Sequence, residues 1–300
     1  MKVLVIGATG QLAKSLAGAN PPDGITVLTV GRPEIELLVP ATMEPVLDRV
    51  APCLVVNAAA YTAVDKAESE PELAYAVNAH APGHLAAICS RNGIPLIHVS
   101  TDYVFDGSKS EPYIEDDPVA PLGVYGASKL EGERRVAAEG ARYIILRTAW
   151  VHSPFGRNFV KTILRLAESR AEISVVDDQS GSPTFAPHLA DGILAIAAQV
   201  LSQEHGTGEA DWGIYHAAGA GDATWHDVAA EAFEHSARLQ GPHAQLRAIT
   251  TAQYPTPVKR PANSRLDCTK LERIFGVRLP EWRVGVLECV ERLERALGSA

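Results

Sequence analysis

The chain has 300 residues, of which 46% are hydrophobic and 21% are charged. This composition is typical of a globular protein and excludes an intrinsically disordered chain, and the length suits one large domain or two small ones. Lysine and arginine total 27 against 36 aspartate and glutamate residues, which gives a formal net charge of -9. That acidic balance, with no lysine- or arginine-rich block, argues against a protein that binds nucleic acid.

The cysteine pattern and the N-terminus bear on where the protein works. The four cysteines are far apart and match neither a zinc motif nor a small disulfide framework, so we expect reduced thiols and no metal. No uncharged segment is apolar enough to cross a bilayer, and the one at residues 50–64 is too short and contains Pro52. The chain reaches a glycine at Gly7, too early for a signal peptide. We therefore expect a cytoplasmic protein with no membrane partner.

Short apolar runs alternate with helical patterns over the first half of the chain. The apolar runs are typical of strands buried on both faces of a sheet and cover residues 3–6, 25–30, 53–56, 95–99 and 143–146. Helical patterns fill most of the intervals, at residues 11–19, 41–50, 72–91 and 125–138. Strands that alternate with helices predict an α/β fold with a doubly wound parallel sheet of the Rossmann type.

Beyond residue 150 the predicted elements follow each other less regularly. They are helices at residues 158–169, 186–202 and 284–297, strands at residues 173–176 and 214–216, a surface loop at residues 203–208 and a proline-rich extended loop at residues 255–261. We interpret residues 151–300 mainly as a smaller α/β lobe that binds substrate and returns segments to the first domain.

A glycine-containing turn, Gly7-Ala8-Thr9-Gly10, joins the first predicted strand to the first predicted helix. Gly7 permits the tight turn, and Gly10 lets the backbone approach a pyrophosphate, which the helix N-terminus attracts. A Gly-x-x-Gly turn alone is weak evidence, but its position directly after an apolar strand favours a dinucleotide. Residues 1–150 are therefore predicted to form a dinucleotide-binding domain.

The end of the second strand bears on which dinucleotide binds. An acidic residue there would bond the ribose 2′-hydroxyl of NAD, whereas this strand runs into Gly31 and Arg32. Arg32 can pair with the 2′-phosphate of NADP, so the sequence favours NADPH. Glu34 and Glu36 follow closely and leave NADH as a second donor, and the plainer interpretation of Arg32 is a solvated loop residue.

Tyr125 and Lys129 lie four residues apart on a predicted helix and so share one face. A free phenol has a pKa of about 10, which a nearby ammonium group would lower. Tyr125 is thus a candidate proton donor to an oxygen that becomes an alkoxide, and Thr101, at the carboxyl end of the fourth strand, can bond the same oxygen. The alternatives are a surface helix and a threonine that caps its own turn.

Together these features resemble the extended short-chain dehydrogenase/reductase superfamily. Longer motifs are similar to those of its dTDP-4-dehydrorhamnose reductase family and cover most of the chain. They are NAAAYTAVDKAE at residues 57–68, STDYVFDG at residues 100–107, RTAWV at residues 147–151, YPTP at residues 254–257 and RPANSRL at residues 260–266.

The resemblance implies reduction of the 4-keto group of dTDP-4-dehydro-L-rhamnose to dTDP-L-rhamnose, a step in the biosynthesis of dTDP-rhamnose for polysaccharides. It makes Tyr125 the proton donor, with Lys129 tuning its pKa and Thr101 assisting. With the residues argued above, the expected cofactor contacts are Gly7, Thr9, Gly10, Gln11, Leu12, Arg32, Glu36, Leu37, Ala60, Tyr61, Thr62, Tyr125 and Lys129. The expected contacts with the nucleotide-sugar substrate are Thr101, Asp102, Trp150, Arg260 and Arg265.

Three of these substrate contacts rest on weaker grounds than the others. Trp150 matches the family, but a tryptophan at this position can also be a core aromatic. Arg260 and Arg265 are a hypothesis of charge, since they belong to the late motif and can meet a diphosphate.

The chain departs from the family at the subunit interface. Some members hold Mg²⁺ there with acidic side chains, and Ser15 and Pro187 stand where such acids are expected. We therefore expect no bound metal and a monomer or a weak homodimer.

Two other functions stay open. Another nucleotide-sugar enzyme of the superfamily is one, although a dehydratase is disfavoured because Tyr103 stands where dehydratases usually have a glutamate base. An epimerase would recycle its cofactor, whereas a reductase consumes NADPH. The second is a non-catalytic regulatory subunit that binds NADP, against which Thr101, Tyr125 and Lys129 argue.

Overall fold

The computed structural model describes residues 1–140, 142–202 and 212–298. The surface loop expected over residues 203–208 lies outside these ranges. In chain order the strands are β1 (Lys2–Ile6), β2 (Thr26–Val30), β3 (Leu54–Asn57), β4 (Leu96–Thr101), β5 (Tyr143–Thr148), β6 (Val151–His152), β7 (Glu172–Val176), β8 (Ser180–Gly181), β9 (Thr184–Phe185), β10 (Gly213–His216), β11 (Ala223–Thr224) and β12 (Gln245–Ile249).

The helices alternate with these strands over the first half of the chain. They are α1 (Gln11–Ala17), α2 (Met43–Val50), α3 (Val64–Ala67), α4 (Pro71–Tyr75), α5 (Ala81–Arg91), α6 (Val124–Ala138), α7 (Phe159–Ala167), α8 (Ala186–Ser202), α9 (Trp225–Arg238), α10 (Thr269–Phe275) and α11 (Trp282–Gly298). Among the described residues, no helix is both long and apolar enough to span a membrane.

Six strands form one parallel sheet in the spatial order β10-β5-β4-β3-β1-β2. The predicted doubly wound sheet is confirmed. The chain leaves β1 for β2 on one side and then returns to the other side of β1 as β3, so the strand order reverses between β1 and β3. Open α/β sheets bind ligands at the carboxyl ends of the strands beside such a reversal.

Helices cover both faces of this sheet because its strands are apolar on both sides. One face packs against α1, α8 and α10, with Leu16, Ile193 and Phe275 in the buried cluster. The other face packs against α2, α5 and α6, with Leu85 and Val136 buried. Since α8, β10 and α10 belong to the later half of the chain, that half contributes to the large layered body as well as to the smaller lobe.

The smaller lobe has its own core. Helices α7, α9 and α11 surround Phe185, Phe233 and Trp282. Three two-stranded pairings complete it, with β7 and β12 parallel, β6 and β9 parallel, and β8 and β11 antiparallel. Helices α9 and α10 and strand β12 were not predicted from the sequence, and the division at residue 150 stays a proposal.

The helix predicted over residues 72–91 is interrupted by a wide π turn at Ala76–His80. Pro82 has no N–H group to donate to the carbonyl oxygen of Asn78 four residues earlier, which favours the wider turn. That carbonyl oxygen packs against Gly132 of α6, where a Cβ atom would collide with it. The π turn thus brings Asn78 close to the helix that carries Tyr125.

Candidate active site

A cleft of about 1060 Å³ crosses the carboxyl ends of β1, β3, β4 and β5. All the expected site residues line it except Arg265. The sheet brings them together because parallel strands end at the same edge, although the residues come from distant parts of the sequence.

The turn after β1 fits a dinucleotide phosphate. Gly7 has a φ of 119°, a conformation that favours glycine, and its N–H donates to Val30 O at 2.7 Å. A Cβ atom at Gly10 would have no neighbour within 4 Å, so the turn is open at this point. Helix α1 begins at Gln11, and the first N–H groups of a helix lack partners within it. This arrangement can hold an anion.

Arg32 and Glu36 lie together at one end of the cleft. The two side chains are 3.9 Å apart (Nε to Oε2), and that of Arg32 is 80% exposed. A contact so exposed holds the guanidinium weakly, and Arg32 stays available to an incoming phosphate.

The loop after β3 is fixed by a side chain that the sequence did not reveal as important. Asn78 is fully buried, and its Oδ1 accepts the N–H of Tyr61 at 2.8 Å. Its Nδ2 donates to Tyr61 O at 3.0 Å and to Ser128 Oγ at 3.0 Å. Asn78 therefore joins the expected cofactor loop to α6, one residue before Lys129.

A buried ion pair fixes α6 against the sheet. Arg147 of β5 contacts Glu133 of α6 at 2.8 Å (Nη2 to Oε2), and both side chains are almost fully buried. Ser100 Oγ of β4 donates to Glu133 Oε1 at 2.5 Å. Three elements under the cleft are thus held by one polar group.

Tyr125 lies in the first turn of α6 and lines the cleft. Burial raises the pKa of its phenol above the usual value, a hydrogen bond with Thr101 opposes this, and the nearby Asp102 carboxylate adds to it. The lowering of this pKa expected from Lys129 is not seen. The phenol is therefore protonated at neutral pH, as a proton donor must be.

Lys129 is buried below the cleft floor. Its Nζ donates to Val99 O at 2.7 Å and lies 3.4 Å from His98 Nε2. Burial lowers the pKa of Lys129 to about 8, while the Glu133 carboxylate raises it.

His98 and Asn57 form the layer beneath Lys129. Asn57 Oδ1 accepts the N–H of Ala59 at 3.2 Å, so its amide nitrogen faces His98 Nδ1 at 3.0 Å. Because Nδ1 accepts this bond, the ring hydrogen belongs on Nε2, facing Lys129. Burial and the Lys129 charge hold the pKa of His98 well below its usual value.

Thr101 and Asp102 lie side by side at the end of β4. Thr101 Oγ1 donates to Asp102 Oδ1 at 3.0 Å and accepts the N–H of Tyr103 at 3.2 Å. Asp102 is 2% exposed, and burial raises its pKa to about 6, against hydrogen bonds from Ser264 and Thr101.

Trp150 forms an aromatic wall of the cleft with Trp225 of α9. The two rings stack with centroids 3.6 Å apart and planes within 5°. Trp150 has a φ of 46°, and a Cβ atom at Gly181 would collide with its ring. Trp225 Nε1 donates to Gln179 Oε1 at 3.1 Å. The indole of Trp150 is therefore held in one place, within reach of a substrate.

The two late arginines have different surroundings. Arg260 lines the cleft, donates to Tyr103 OH at 2.8 Å and pairs with Asp65 at 2.9 Å. The structure does not bring Arg265 to the cleft, since its guanidinium contacts Asp222 at 3.1 Å and Asn263 at 2.8 Å. The expected contact of Arg265 with a diphosphate is not supported.

Gln11 links the glycine turn to the smaller lobe. Its Oε1 accepts bonds from Ser153 Oγ and Asn158 Nδ2, both at 2.8 Å. Its Nε2 donates to Val151 O at 3.4 Å. The first residue of α1 therefore contacts the loop that opens the second half of the chain.

Several cleft residues were missed by the sequence analysis. They are Tyr103, Thr148, Arg157, Asn158 and Trp225. Thr148 ends β5 just as Thr101 ends β4, so the same strand-end argument would have found it. Among the residues that the structure describes, no group of three or more histidine, cysteine, aspartate or glutamate side chains is arranged to hold a metal.

Comparison with known proteins gives full-length matches. Residues 1–295 match the family described as "RmlD substrate binding domain". A dTDP-4-dehydrorhamnose reductase of Sinorhizobium fredii is 46% identical over 298 residues, covering 99% of this chain and 98% of that protein. The crystal structure of a dTDP-4-dehydrorhamnose reductase from Clostridium acetobutylicum has a TM-score of 0.88 at 35% identity, covering 98% of this chain and all of that one. One from Bacillus anthracis in complex with NADP has a TM-score of 0.86 at 30% identity, covering 97% and 99%.

Proposed function

The chain belongs to the dTDP-4-dehydrorhamnose reductase family, and from that premise we propose that it reduces dTDP-4-dehydro-L-rhamnose to dTDP-L-rhamnose with NADPH. One observation carries the proposal to this chain: Tyr125, Thr101 and the glycine turn line the same cleft. A protonated phenol beside a dinucleotide turn suits the addition of a hydride and a proton to a ketone.

NADPH supplies the hydride when it is bound. The turn residues Gly7, Thr9, Gly10, Gln11 and Leu12 hold its pyrophosphate, and Arg32 pairs with its 2′-phosphate. Leu37 and the loop residues Ala60, Tyr61 and Thr62 contact the rest of the nucleotide, and Lys129 holds the nicotinamide ribose. Because Arg32 has no 2′-phosphate to pair with in NADH, we expect NADH to serve more weakly than NADPH. Glu36 would repel the 2′-phosphate of NADPH, so NADH should not be excluded.

Side chains of β4 and α6 position and donate the proton. The reacting carbon gains the hydride, its oxygen gains negative charge, and Tyr125 transfers its phenolic hydrogen to that oxygen. Thr101 Oγ1 bonds the same oxygen and helps to hold it within reach of Tyr125. Since Lys129 does not lower the pKa of Tyr125 in this structure, we assign it to the nicotinamide ribose rather than to the tuning of the phenol.

The sugar nucleotide lies towards the smaller lobe. Trp150 packs against the sugar, Asp102 bonds one of its hydroxyls, and Arg260 contacts the diphosphate after parting from Asp65. We propose Arg260 alone for this contact, because Arg265 is engaged elsewhere.

The wider organisation follows from the same proposal. Residues 1–150 serve as the dinucleotide-binding domain and residues 151–300 mainly as the substrate lobe. The enzyme works in the cytoplasm in dTDP-rhamnose biosynthesis, as a monomer or weak homodimer. Size-exclusion chromatography with light scattering over a range of protein concentrations tests the last point.

The decisive experiment supplies dTDP-4-dehydro-L-rhamnose with NADPH or NADH and identifies the sugar formed. We expect one NADPH consumed per dTDP-L-rhamnose, and kcat/KM lower with NADH. Turnover without net consumption of NADPH would instead indicate an epimerase, and no turnover would favour a binding subunit.

Tyr125→Phe tests the proton donor. It should lower kcat by about 100-fold or more, because general acid catalysis typically contributes that much, while NADPH still binds. Tyr143→Phe, at the start of β5 and far from the cleft lining, is the matched control and should keep wild-type turnover. Unchanged turnover in Tyr125→Phe would remove this phenol from the mechanism.

A further inference from the structure

Thr148 is a cleft residue without an assigned role. It ends β5, is 6% exposed and lines the cleft. Its Oγ1 is buried and has no hydrogen-bond partner among the described residues. A buried hydroxyl is costly to leave unpaired, and native proteins rarely do so without a reason.

Thr148 Oγ1 is one of four buried side-chain atoms without a hydrogen-bond partner among the described residues, the others being Asp102 Oδ2, His152 Nε2 and His216 Nε2. Asp102 also lines the cleft and is already proposed to bond the sugar, whereas neither histidine lines it. Burial holds both histidines neutral, so one ring nitrogen without a partner is the lesser cost there. Thr148 stands at the surface that receives a ligand, where a partner can arrive.

The sheet register sets Thr148 beside the reacting centre. Thr148 pairs with Thr101 across β4 and β5, and registered neighbours on parallel strands point to the same face. Trp150 follows two residues later on the same segment. Thr148 therefore lies between two residues that we propose as substrate contacts.

We propose that Thr148 is a substrate-binding residue whose hydroxyl bonds a ring hydroxyl of the sugar next to the keto group. The inference rests on the proposed function. A threonine hydroxyl donates one bond and accepts others, as a sugar hydroxyl does, so the two are matched. Sites that bond a substrate hydroxyl discriminate strongly against analogues that lack it.

The test compares Thr148→Val, which has nearly the same shape without the hydroxyl, with Thr148→Ser, which keeps it. In assays with dTDP-4-dehydro-L-rhamnose and NADPH, Thr148→Val should lower kcat/KM for the sugar about tenfold or more, which corresponds to the loss of one good hydrogen bond. The kcat/KM of Thr148→Ser should stay within about threefold of the wild-type value. Wild-type kcat/KM in Thr148→Val would overturn the proposal.

Binding measurements separate the sugar from the nicotinamide. Calorimetry should give Thr148→Val a wild-type Kd for NADPH and a weaker Kd for dTDP-L-rhamnose with NADP⁺ present. Equal loss of NADPH affinity would assign the hydroxyl to the cofactor and overturn the proposal. If wild type binds dTDP-L-rhamnose but does not reduce the ketone, the proposed function fails while this binding comparison still reports on Thr148.

Thermal unfolding separates a ligand-binding role from a structural one. Thr148→Val should keep or raise Tm, because the threonine hydroxyl that it removes bonds no group in the described part of the chain. Thr184→Val is the matched control, since Thr184 is also buried but its hydroxyl contacts Gly219 N and Ser182 O, both at 3.2 Å. The Tm of this control should be lower than that of the wild type. A similar loss in Thr148→Val would show a structural role and overturn the proposal, and Thr148→Ser supplies the folded comparison.

Discussion

Burial of Asp102 lowers the free energy of unfolding at neutral pH. Its carboxyl is held at the end of β4 with almost no exposure, and burial raises its pKa to about 6. Between its ordinary pKa of about 3.9 and that value, the folded protein binds more protons than the unfolded chain. The contribution of Asp102 to the free energy of unfolding therefore falls as pH rises through this window.

Asp102→Asn should remove that dependence. Relative to wild type, its free energy of unfolding should rise by on the order of 3 kcal/mol between pH 4 and pH 7.5, because two pKa units correspond to that much. Urea unfolding at several pH values measures the difference. Asp116→Asn, on an exposed loop, is the control and should show no such trend. A constant difference between Asp102→Asn and wild type would contradict the assignment.

At the level of elements, the π turn between α4 and α5 holds the cofactor loop and the catalytic helix together. Asn78 bonds both the N–H and the O of Tyr61, and also Ser128 of α6. Gly132 allows α6 to approach the turn this closely. A local irregularity of the helix is thus used to connect two parts of the site.

Asn78→Ala should weaken the attachment of both the cofactor loop and helix α6. The free energy of unfolding should fall by about 3 kcal/mol, since buried groups of Tyr61 lose their partners, and the Kd for NADPH should rise about tenfold. Asn92→Ala is the control, because Asn92 is exposed and its side chain bonds Ile88 O within its own helical turn. It should leave NADPH binding unchanged. If Asn78→Ala lost stability yet bound NADPH normally, the link to the cofactor loop would be refuted.

Over the whole molecule, buried histidines make the fold sensitive to acid. Burial lowers the pKa of His152 to about 4 and of His216 to about 3, and holds that of His98 well below its usual value. Unfolded histidines titrate at about pH 6.5. Their stabilisation is therefore complete above that pH and is lost as pH falls, in the sense opposite to Asp102.

His216→Asn tests this at one position. His216 Nδ1 lies 3.0 Å from Tyr113 O, and an asparagine amide can replace that donor without titrating. We expect lower stability than wild type at pH 7.5, and a difference that shrinks by about 1.4 kcal/mol per pH unit below pH 6.5. The exposed His243→Gln serves as the control in the same urea titrations. A pH-independent difference in His216→Asn would contradict the buried neutral ring.

The strand ends were predictable, and the contacts between distant elements were not. Thr101 and the glycine turn follow apolar runs, and parallel topology alone brings such positions to one edge. Trp225 reaches the cleft only because α9, which has a capping pair at Thr224 and Asp227, packs into the core of the smaller lobe. Arg260 and Arg265 belong to one sequence motif, but the motif does not show that only Arg260 faces the cleft.

The contacts of Gln11 with Ser153 and Asn158 have a consequence for the order of events. A coenzyme that settles on the first turn of α1 also steadies the segment from which the opposite lobe departs. We expect ordered binding, in which the dinucleotide binds first and the sugar nucleotide then binds to a site whose segment is already fixed. The side-chain amide of Gln11 would thereby set an order of binding that the chemistry of the reaction does not itself require.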